Sequence, residues 1–189
     1  MEITPTDLPD VKVLTPRRFG DDRGFFCETW NAARMREAGL DLRFVQDNES
    51  LSARAGTLRG LHYQAPPHAQ AKLVRVVGGA IRDVVVDARR GSPRFGHWTA
   101  VELSAKNGAQ LLVPRGFLHG FVTLEDATHV LYKVDGLFDG PSDGSVAWND
   151  PDIGIDWGVA ADAVILSDKD RRAPAFADWS SPFTYGETA

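Results

Sequence analysis

Reactive side chains are concentrated in one short stretch of the sequence, RGLHYQAPPHAQAKL. The stretch brings together two histidines, a phenol and two cations: Arg59, His62, Tyr63, His68 and Lys72. A histidine, with an unperturbed pKa of about 6.5, is suited to removing a proton near neutral pH. Arginine and lysine can bind a phosphate or stabilise an oxyanion that forms during a reaction. Any one of these residues is more often structural, but the cluster predicts acid–base chemistry beside bound negative charge.

A metal site is the next question, because zinc and iron are often bound by histidine and the chain has 5 histidines. Residues 108–119 fit the G-x5-P-x-G-x2-H pattern of the second cupin motif, which ends at His119. This segment resembles the cupin superfamily, and the resemblance implies a jelly-roll barrel. The first cupin motif requires an H-x-H pair and then a glutamate, whereas this chain has HYQ at 62–64 and then two prolines. Most metal ligands are therefore missing, and we expect a barrel without a metal.

Short apolar segments must form the elements that position these residues. Glycines and prolines separate them at intervals of about 8–12 residues, which is typical of a β-sandwich or barrel. KLVRVV (72–77) and AIRDVVVD (80–87) are predicted to form a hairpin through Gly78 and Gly79, since glycines tolerate the positive φ angles of a tight turn. Further strands are predicted at 97–104, 109–114, 117–124 and 128–134. The pattern favours an all-β fold, which agrees with a cupin-type jelly-roll barrel.

Two segments do not follow the strand pattern. NAARMREAG (31–39) predicts a short surface helix, with Asn31 capping its first amides and Gly39 ending it. The tail over 139–189 is rich in Pro, Asp and Trp, and we expect it to wrap the barrel irregularly. Because the chain has 189 residues and neither a repeat nor a linker, we expect one domain over 1–189.

Composition excludes several classes of protein. The chain is 43% hydrophobic and 25% charged, as folded globular proteins are, and its net charge of −5 disfavours a nucleic-acid partner. Its apolar runs have strand length, so no membrane span is predicted. The segment MEITPTDLPD lacks the features of a secretory signal, and the single cysteine, Cys27, cannot form an internal disulfide. We therefore expect a cytoplasmic protein.

Motifs spread over nearly the whole chain form one family pattern. They are FGDDRGFFCE (19–28), QDNES (46–50), LRGLHYQ (58–64), QAKL (70–73), DVVVDAR (83–89), SPRFG (92–96), PRGFLHGF (114–121), YK (132–133), WNDP (148–151) and LSDKD (166–170). The set closely resembles the dTDP-4-dehydrorhamnose 3,5-epimerase family. RGLHYQ with its downstream KL, GFxHGF and SxKD is the most specific part of the resemblance.

The resemblance implies a reaction and its catalytic residues. The family inverts C3 and C5 of dTDP-4-dehydro-6-deoxy-D-glucose on either side of the C4 ketone, without a cofactor, in dTDP-L-rhamnose biosynthesis. By the family pattern His62 is the base, Asp170 orients it, Tyr132 is the acid on the opposite face, and Lys72 stabilises the enolate. A carboxylate beside the far ring nitrogen fixes the histidine tautomer and favours the imidazolium formed on abstraction. We therefore expect a hydrogen bond between His62 and Asp170.

The resemblance also implies a set of substrate-binding residues. They are Arg23, Glu28, Gln46, Asn48, Arg59, Lys72, His119, Phe138, Asp143 and Lys169. Two depart from the family: Phe138 stands where a tyrosine usually stacks on thymine, and Asp143 stands where a glutamate is usual. Strict strand alternation would place Arg59 and His62 on opposite faces, unless Gly60 marks a bulge or two subunits share the substrate.

Alternative functions stay open beside the 3,5-epimerase. One is a related enzyme in the same barrel, either a single-centre epimerase acting at C3 or C5 or a sugar 3,4-ketoisomerase. Another is a non-catalytic cupin that binds a nucleotide sugar, which gives no reason to keep base, acid and carboxylate together. The family is typically a homodimer that exchanges N-terminal strands. We therefore expect a homodimer that binds a dTDP-linked 4-keto-6-deoxy sugar.

Overall fold

The protein is described by a computed structural model over residues 1–187, and most of the ordered elements are short β-strands. The strands are β1 (Glu2–Pro5), β2 (Lys12–Thr15), β3 (Arg18–Asp21), β4 (Gly24–Cys27), β5 (Gln46–Ser52), β6 (Leu58–Gln64), β7 (Lys72–Gly78), β8 (Ala80–Asp87), β9 (Arg89–Arg90), β10 (Trp98–Ser104), β11 (Gln110–Val113), β12 (Phe117–Thr123), β13 (Thr128–Val134), β14 (Asp143–Ser145) and β15 (Phe183–Thr184). The α-helices are α1 (Ala32–Glu37) and α2 (Asp168–Arg171). No helix in this part of the chain is long and apolar enough to span a membrane.

Two antiparallel sheets form the barrel. The six-stranded sheet has the order β1-β2-β11-β7-β13-β5, and the five-stranded sheet has the order β10-β8-β12-β6-β14. Val74 and Val130 of the first sheet pack with Ile81, Val85 and Phe121 of the second in one buried cluster. The sheets therefore face each other across an apolar core, and the prediction of an all-β jelly-roll barrel is confirmed.

The C-terminal segment covers the outer face of the five-stranded sheet. Ile81 and Val85 of β8 point into the core between the sheets, whereas Val84 and Val86 pack in a second cluster with Trp157. A strand that is covered on both faces reads as a continuous apolar run rather than an alternating one. The DVVVD segment thus belongs to a doubly covered strand, and the tail wraps the barrel as predicted.

The predicted hairpin of β7 and β8 is wrong, because the two strands lie in different sheets. β7 pairs with β11 and β13, whereas β8 pairs with β10 and β12. Gly79 has a φ of 75°, and a Cβ at this position would collide with Thr128 at the start of β13. Glycine is therefore required where the chain turns from one sheet to the other, and the pair makes a corner between sheets.

Helix α1 forms within the predicted segment 31–39. The Asn31 side chain accepts hydrogen bonds from two backbone N–H groups of the first turn, and Gly39 follows the helix with a φ of 81°. Met35 is buried and packs against Leu14 and Leu73 on the outer face of the six-stranded sheet. The helix is thus a cover for that sheet, held by one buried side chain.

Candidate active site

Two adjoining cavities share His62, Lys72 and Tyr132. The larger cavity has a volume of about 440 Å³, and its other polar walls are Ser50, Thr57, Arg59, His119, Ser167 and Asp170. The smaller cavity has a volume of about 150 Å³, and its other walls are Gln46, Asn48, Tyr63, Gln64, Gln70, Phe138 and Asp143. All four predicted catalytic residues therefore line one cavity.

A bulge in β6 brings Arg59 and His62 to the same cavity. His119 of β12 pairs with His62, and Phe121 pairs with Arg59, so three steps along β6 match two along β12. The extra residue removes the alternation that would put the two side chains on opposite faces. Gly60 has a φ of 141°, and a Cβ there would lie 2.5 Å from the Cα of Gly120. The bulge thus depends on a glycine, and one chain supplies both residues.

His62 and Asp170 form a hydrogen-bonded pair. The distance from His62 Nε2 to Asp170 Oδ1 is 2.6 Å, so the predicted bond is present. Ser167 caps helix α2 and donates from its Oγ to Asp170 Oδ2 at 2.8 Å. Burial raises the pKa of Asp170, but the hydrogen bonds from His62 and Ser167 outweigh burial and keep this pKa below its usual value. Asp170 is therefore an anion that holds the Nε2–H tautomer and leaves His62 Nδ1 free to accept a proton.

Tyr132 and Lys72 reach the same cavity from the other sheet. His62 lies on β6 of the five-stranded sheet, whereas Lys72 and Tyr132 lie on β7 and β13 of the six-stranded sheet. β7 and β13 are hydrogen-bonded neighbours, which fixes the phenol and the ammonium group relative to each other. An imidazole and a phenol therefore approach the space between the sheets from opposite walls.

The surroundings of Lys72 and Tyr132 set the protonation states of these two side chains. Burial lowers the pKa of Lys72 to about 8, although the charges of Asp143 and Asp83 act to raise it. Burial raises the pKa of Tyr132, and the positive charge of Arg59 opposes this change only in part. At neutral pH the wall therefore presents an ammonium group and a protonated phenol, which can stabilise an oxyanion and donate a proton respectively.

The smaller cavity carries the predicted nucleotide contacts. Gln46 Oε1 accepts a hydrogen bond from the backbone N–H of Phe138 at 3.0 Å, and Gln46 Nε2 donates one to Asn48 Oδ1 at 2.8 Å. Phe138 is 62% exposed, so a large part of its ring is available for stacking. Asp143 is held by an ion pair with Lys169, which places both residues at this cavity's edge.

Three predicted substrate-binding residues line neither cavity. One is Lys169, which pairs with Asp143 of the smaller cavity, and the others are Arg23 and Glu28. Arg23 stands between β3 and β4, forms an ion pair with Asp21 at 2.5 Å, and has a side chain that is 89% exposed. Glu28 follows β4 and pairs with Arg34 at 2.8 Å. The same hairpin exposes Phe19, Phe25 and Phe26. These positions do not test the predicted contacts of Arg23 and Glu28 with substrate, which stay predictions.

The fold brings only part of the reactive cluster over residues 59–72 to the larger cavity. Arg59, His62 and Lys72 line the larger cavity, whereas His68 is exposed and lines neither. Tyr63 reaches the smaller cavity, but its hydroxyl accepts a hydrogen bond from Trp179 Nε1 at 2.9 Å and its ring packs in the C-terminal cluster. Tyr63 is thus a packing residue, in line with the structural alternative.

Asp83 and Ser50 are two residues to which sequence reasoning assigned no role. Asp83 is 0% exposed and its Oδ1 lies 2.5 Å from His119 Nε2. Ser50 lines the larger cavity, and its buried Oγ has no hydrogen-bond partner within residues 1–187. The signal for Asp83 was an acidic residue at the head of the apolar run VVV, where burial demands a partner.

In the part of the chain from 1 to 187, no group of three or more His, Cys, Asp or Glu side chains is arranged to hold a metal ion. His62 and His119 are instead each bound to one carboxylate.

A base and an acid on opposite walls are what inversion at carbon requires, because one proton must leave one face and another must arrive at the other. Fold and site together therefore define an isomerase of the epimerase class, built on a jelly-roll barrel. Comparison with known families gives the particular one. The model of the dTDP-4-dehydrorhamnose 3,5-epimerase family matches residues 5–178, and the chain belongs to this family.

Individual relatives agree over almost their whole length. A dTDP-4-dehydrorhamnose 3,5-epimerase of Pseudomonas aeruginosa is 50% identical over 179 residues, which cover 94% of this chain and 97% of that protein. The Bacillus anthracis enzyme, solved with TDP and PPi bound, is 51% identical with a TM-score of 0.89, covering 92% of this chain and 98% of that one. A Legionella pneumophila epimerase in complex with dTDP-4-keto-L-rhamnose is 40% identical with a TM-score of 0.92, covering 100% and 99%.

Proposed function

We propose that the protein converts dTDP-4-dehydro-6-deoxy-D-glucose to dTDP-4-dehydro-L-rhamnose by inverting C3 and C5. The observation that carries this proposal is the placement of His62 and Tyr132 on opposite sheets of one cavity. The identity with relatives of that name, and the Legionella complex with a dTDP-4-keto sugar, support the choice of substrate.

Proton abstraction is assigned to His62. Its Nδ1 takes the proton from C3, and the electron pair of the C–H bond forms the C3–C4 double bond as the C4 oxygen becomes negative. Asp170 stabilises the imidazolium that results, because the pair is already hydrogen-bonded at 2.6 Å. Lys72 places its ammonium group near the enolate oxygen, where a positive charge stabilises the transition state most.

Inversion is completed by Tyr132. Its hydroxyl donates a proton to C3 from the opposite face, the double bond returns to the C4 carbonyl, and the phenol is left as a phenolate. The imidazolium must lose its proton and the phenolate regain one before the next cycle. C5 is also bonded to C4, so the same two groups serve it once the ring has turned to bring C5 between them.

The nucleotide half of the substrate is assigned to the smaller cavity and its rim. Phe138 offers a stacking face for thymine, which is worth about 1–3 kcal/mol per base. Gln46 and Asn48 lie beside it, and Arg59 offers a cation for the diphosphate. Asp143 and Lys169 form an ion pair with each other, and we assign both to the rim of this cavity as contacts of the substrate.

Arg23 and Glu28 are assigned to the substrate of a partner subunit. Both lie outside their own chain's cavities, and the hairpin that carries Arg23 exposes Phe19, Phe25 and Phe26, an apolar surface suited to an interface. We therefore propose a homodimer in which this hairpin reaches the other barrel. One domain over 1–189 and a cytoplasmic location also stay predictions.

Isotope labelling tests the function. The protein is incubated with dTDP-4-dehydro-6-deoxy-D-glucose in deuterated water, and the product is examined by NMR. Deuterium at both C3 and C5 with inverted configuration is the expected result. Label at one carbon selects a single-centre epimerase, and migration of the ketone selects a ketoisomerase. Binding of dTDP without label at either carbon would leave only the non-catalytic alternative.

A further inference from the structure

The barrel holds a second imidazole–carboxylate pair whose carboxylate has no assigned role. Asp83 is 0% exposed, its Oδ1 bonds His119 Nε2, and its Oδ2 has no hydrogen-bond partner within residues 1–187. Burying a carboxylate is costly unless the charge is used, and native proteins leave few buried polar atoms unpaired. Asp83 therefore needs an explanation beyond the packing of β8.

The histidines of the two pairs lie opposite each other on adjacent strands. His119 of β12 is the register partner of His62 of β6, and Asp83 of β8 is the register partner of Phe121, two residues further along β12. Asp83, His119 and His62 thus lie on three neighbouring strands of the five-stranded sheet, and Asp170 of α2 bonds to His62. Because Asp83 occupies Nε2 of His119, only Nδ1 of that ring is left for a bound molecule.

The charge of Asp83 also acts on Lys72. Lys72 lines both cavities. Burial works against its ammonium form, and Asp143 and Asp83 are the two carboxylates that favour it. The other titratable or charged groups around the two cavities are Arg59, His62, Tyr63, His119, Tyr132, Lys169 and Asp170. Asp143 is paired with Lys169, whereas Asp83 has a buried oxygen that no group within residues 1–187 binds.

We propose that Asp83 is a positioning residue of the site, which orients His119 through Nε2 and supplies the buried negative charge that keeps Lys72 an ammonium ion. The part that concerns turnover depends on the proposed function, in which that ammonium ion stabilises the enolate. Removing the charge of Asp83 while keeping the shape of its side chain should therefore weaken catalysis most at the pH values at which Lys72 begins to lose its proton.

Asp83→Asn tests the proposal, because the amide keeps the size of the side chain and removes its charge. The first readout is the titration of Lys72 followed by NMR of its side chain, assigned with Lys72→Arg. We expect the midpoint to move down by about one pH unit from the wild-type value near 8. The second readout is kcat/KM against pH, whose alkaline limb should move by the same amount, so the loss is larger at pH 8 than at pH 6.

Asp87→Asn is the matched control. Asp87 lies on the same strand, is also 0% exposed, and bonds Arg89 and Ser92 at the other end of β8. It should cost stability without moving the Lys72 titration. His119→Gln separates the two roles of Asp83, because it keeps the charge: the Lys72 midpoint should stay in place while kcat falls.

Three results would overturn the proposal. One is an unchanged Lys72 midpoint in folded Asp83→Asn, and another is an equal shift in Asp87→Asn. The third is a downward shift in His119→Gln, which remains decisive if Asp83→Asn does not fold. The titration needs no turnover, so a wild-type protein that fails to epimerise refutes the proposed function and leaves this test readable.

Discussion

The two cavities differ in how firmly their side chains are held. In the larger cavity, His62 and His119 stand on the five-stranded sheet and are each bonded to a buried carboxylate. The partner of His62 is Asp170 of α2, and the partner of His119 is Asp83 of β8. In the smaller cavity, Phe138 follows the last long strand and is 62% exposed, and Asp143 is paired with a lysine at the surface. Proton transfer needs fixed geometry, whereas base stacking tolerates adjustment. Substitutions in the larger cavity should therefore change kcat, and those in the smaller one should change affinity.

His62→Ala should give the largest effect. Loss of the base lowers kcat by at least about 100-fold, the usual contribution of a general base. Affinity for dTDP should stay within about twofold, because the side chains proposed to bind the nucleotide are unchanged. Turnover assays and calorimetric titration with dTDP measure the two quantities. A near-normal rate would break the division between the cavities and remove the mechanism.

Tyr132→Phe should be nearly as severe for inversion and should separate its two half-steps. Without the phenolic proton, kcat for inversion falls by about 100-fold. His62 is intact, so exchange of the C3 proton with deuterated solvent should continue with retention of configuration. NMR of recovered substrate detects that label. Loss of exchange together with inversion would show that Tyr132 also controls abstraction.

The pH dependence should reveal the ammonium group of the larger cavity. Burial lowers the pKa of Lys72 to about 8, so the charged form is lost as pH rises through that value. We expect kcat/KM to fall above pH 8 while dTDP binding changes less. Tyr132 does not account for this limb, because burial raises its pKa above the usual 10. A rate that is constant up to pH 10 would contradict the role of Lys72.

Phe138→Tyr should give the smallest effect and sharpen the comparison from the other side. The tyrosine keeps the stacking face and restores the family's hydroxyl, so KM should fall a few-fold while kcat is unchanged. Phe138→Ala is the opposing control and should raise KM by about 5-fold or more, in line with the loss of one stacked ring. Equal KM values in all three proteins would assign Phe138 to packing beneath the C-terminal segment.

The sequence predicted the strands better than the way they are joined. β-branched runs identify β7 and β8 individually, but a glycine pair serves a hairpin or a corner equally well, and the collision with Thr128 that decides between them is a tertiary contact. Likewise, alternation fails at Arg59 and His62 because the bulge is defined only by pairing with β12.

For the site, too, the sequence predicted the residues better than their contacts. The motifs located the residues of both cavities, because those positions carry recognisable side chains. Asp83 was missed because its partner, His119, is 36 residues away along the chain. The contact of Arg23 with substrate was not predictable from one chain, because in the proposed dimer Arg23 reaches the cavity of the other barrel.

The barrel's two walls have a consequence for how this activity could change. His62 and Tyr132 lie on different sheets, and stacked sheets are about 10 Å apart. The distance between the two side chains therefore depends on the apolar side chains packed between the sheets. Trimming Val74 or Val85 in that layer would alter the distance without touching any polar atom. Stereochemical control in such an enzyme is thus open to tuning by methyl groups, and repacking its interior is a route to variants that invert one carbon and spare the other.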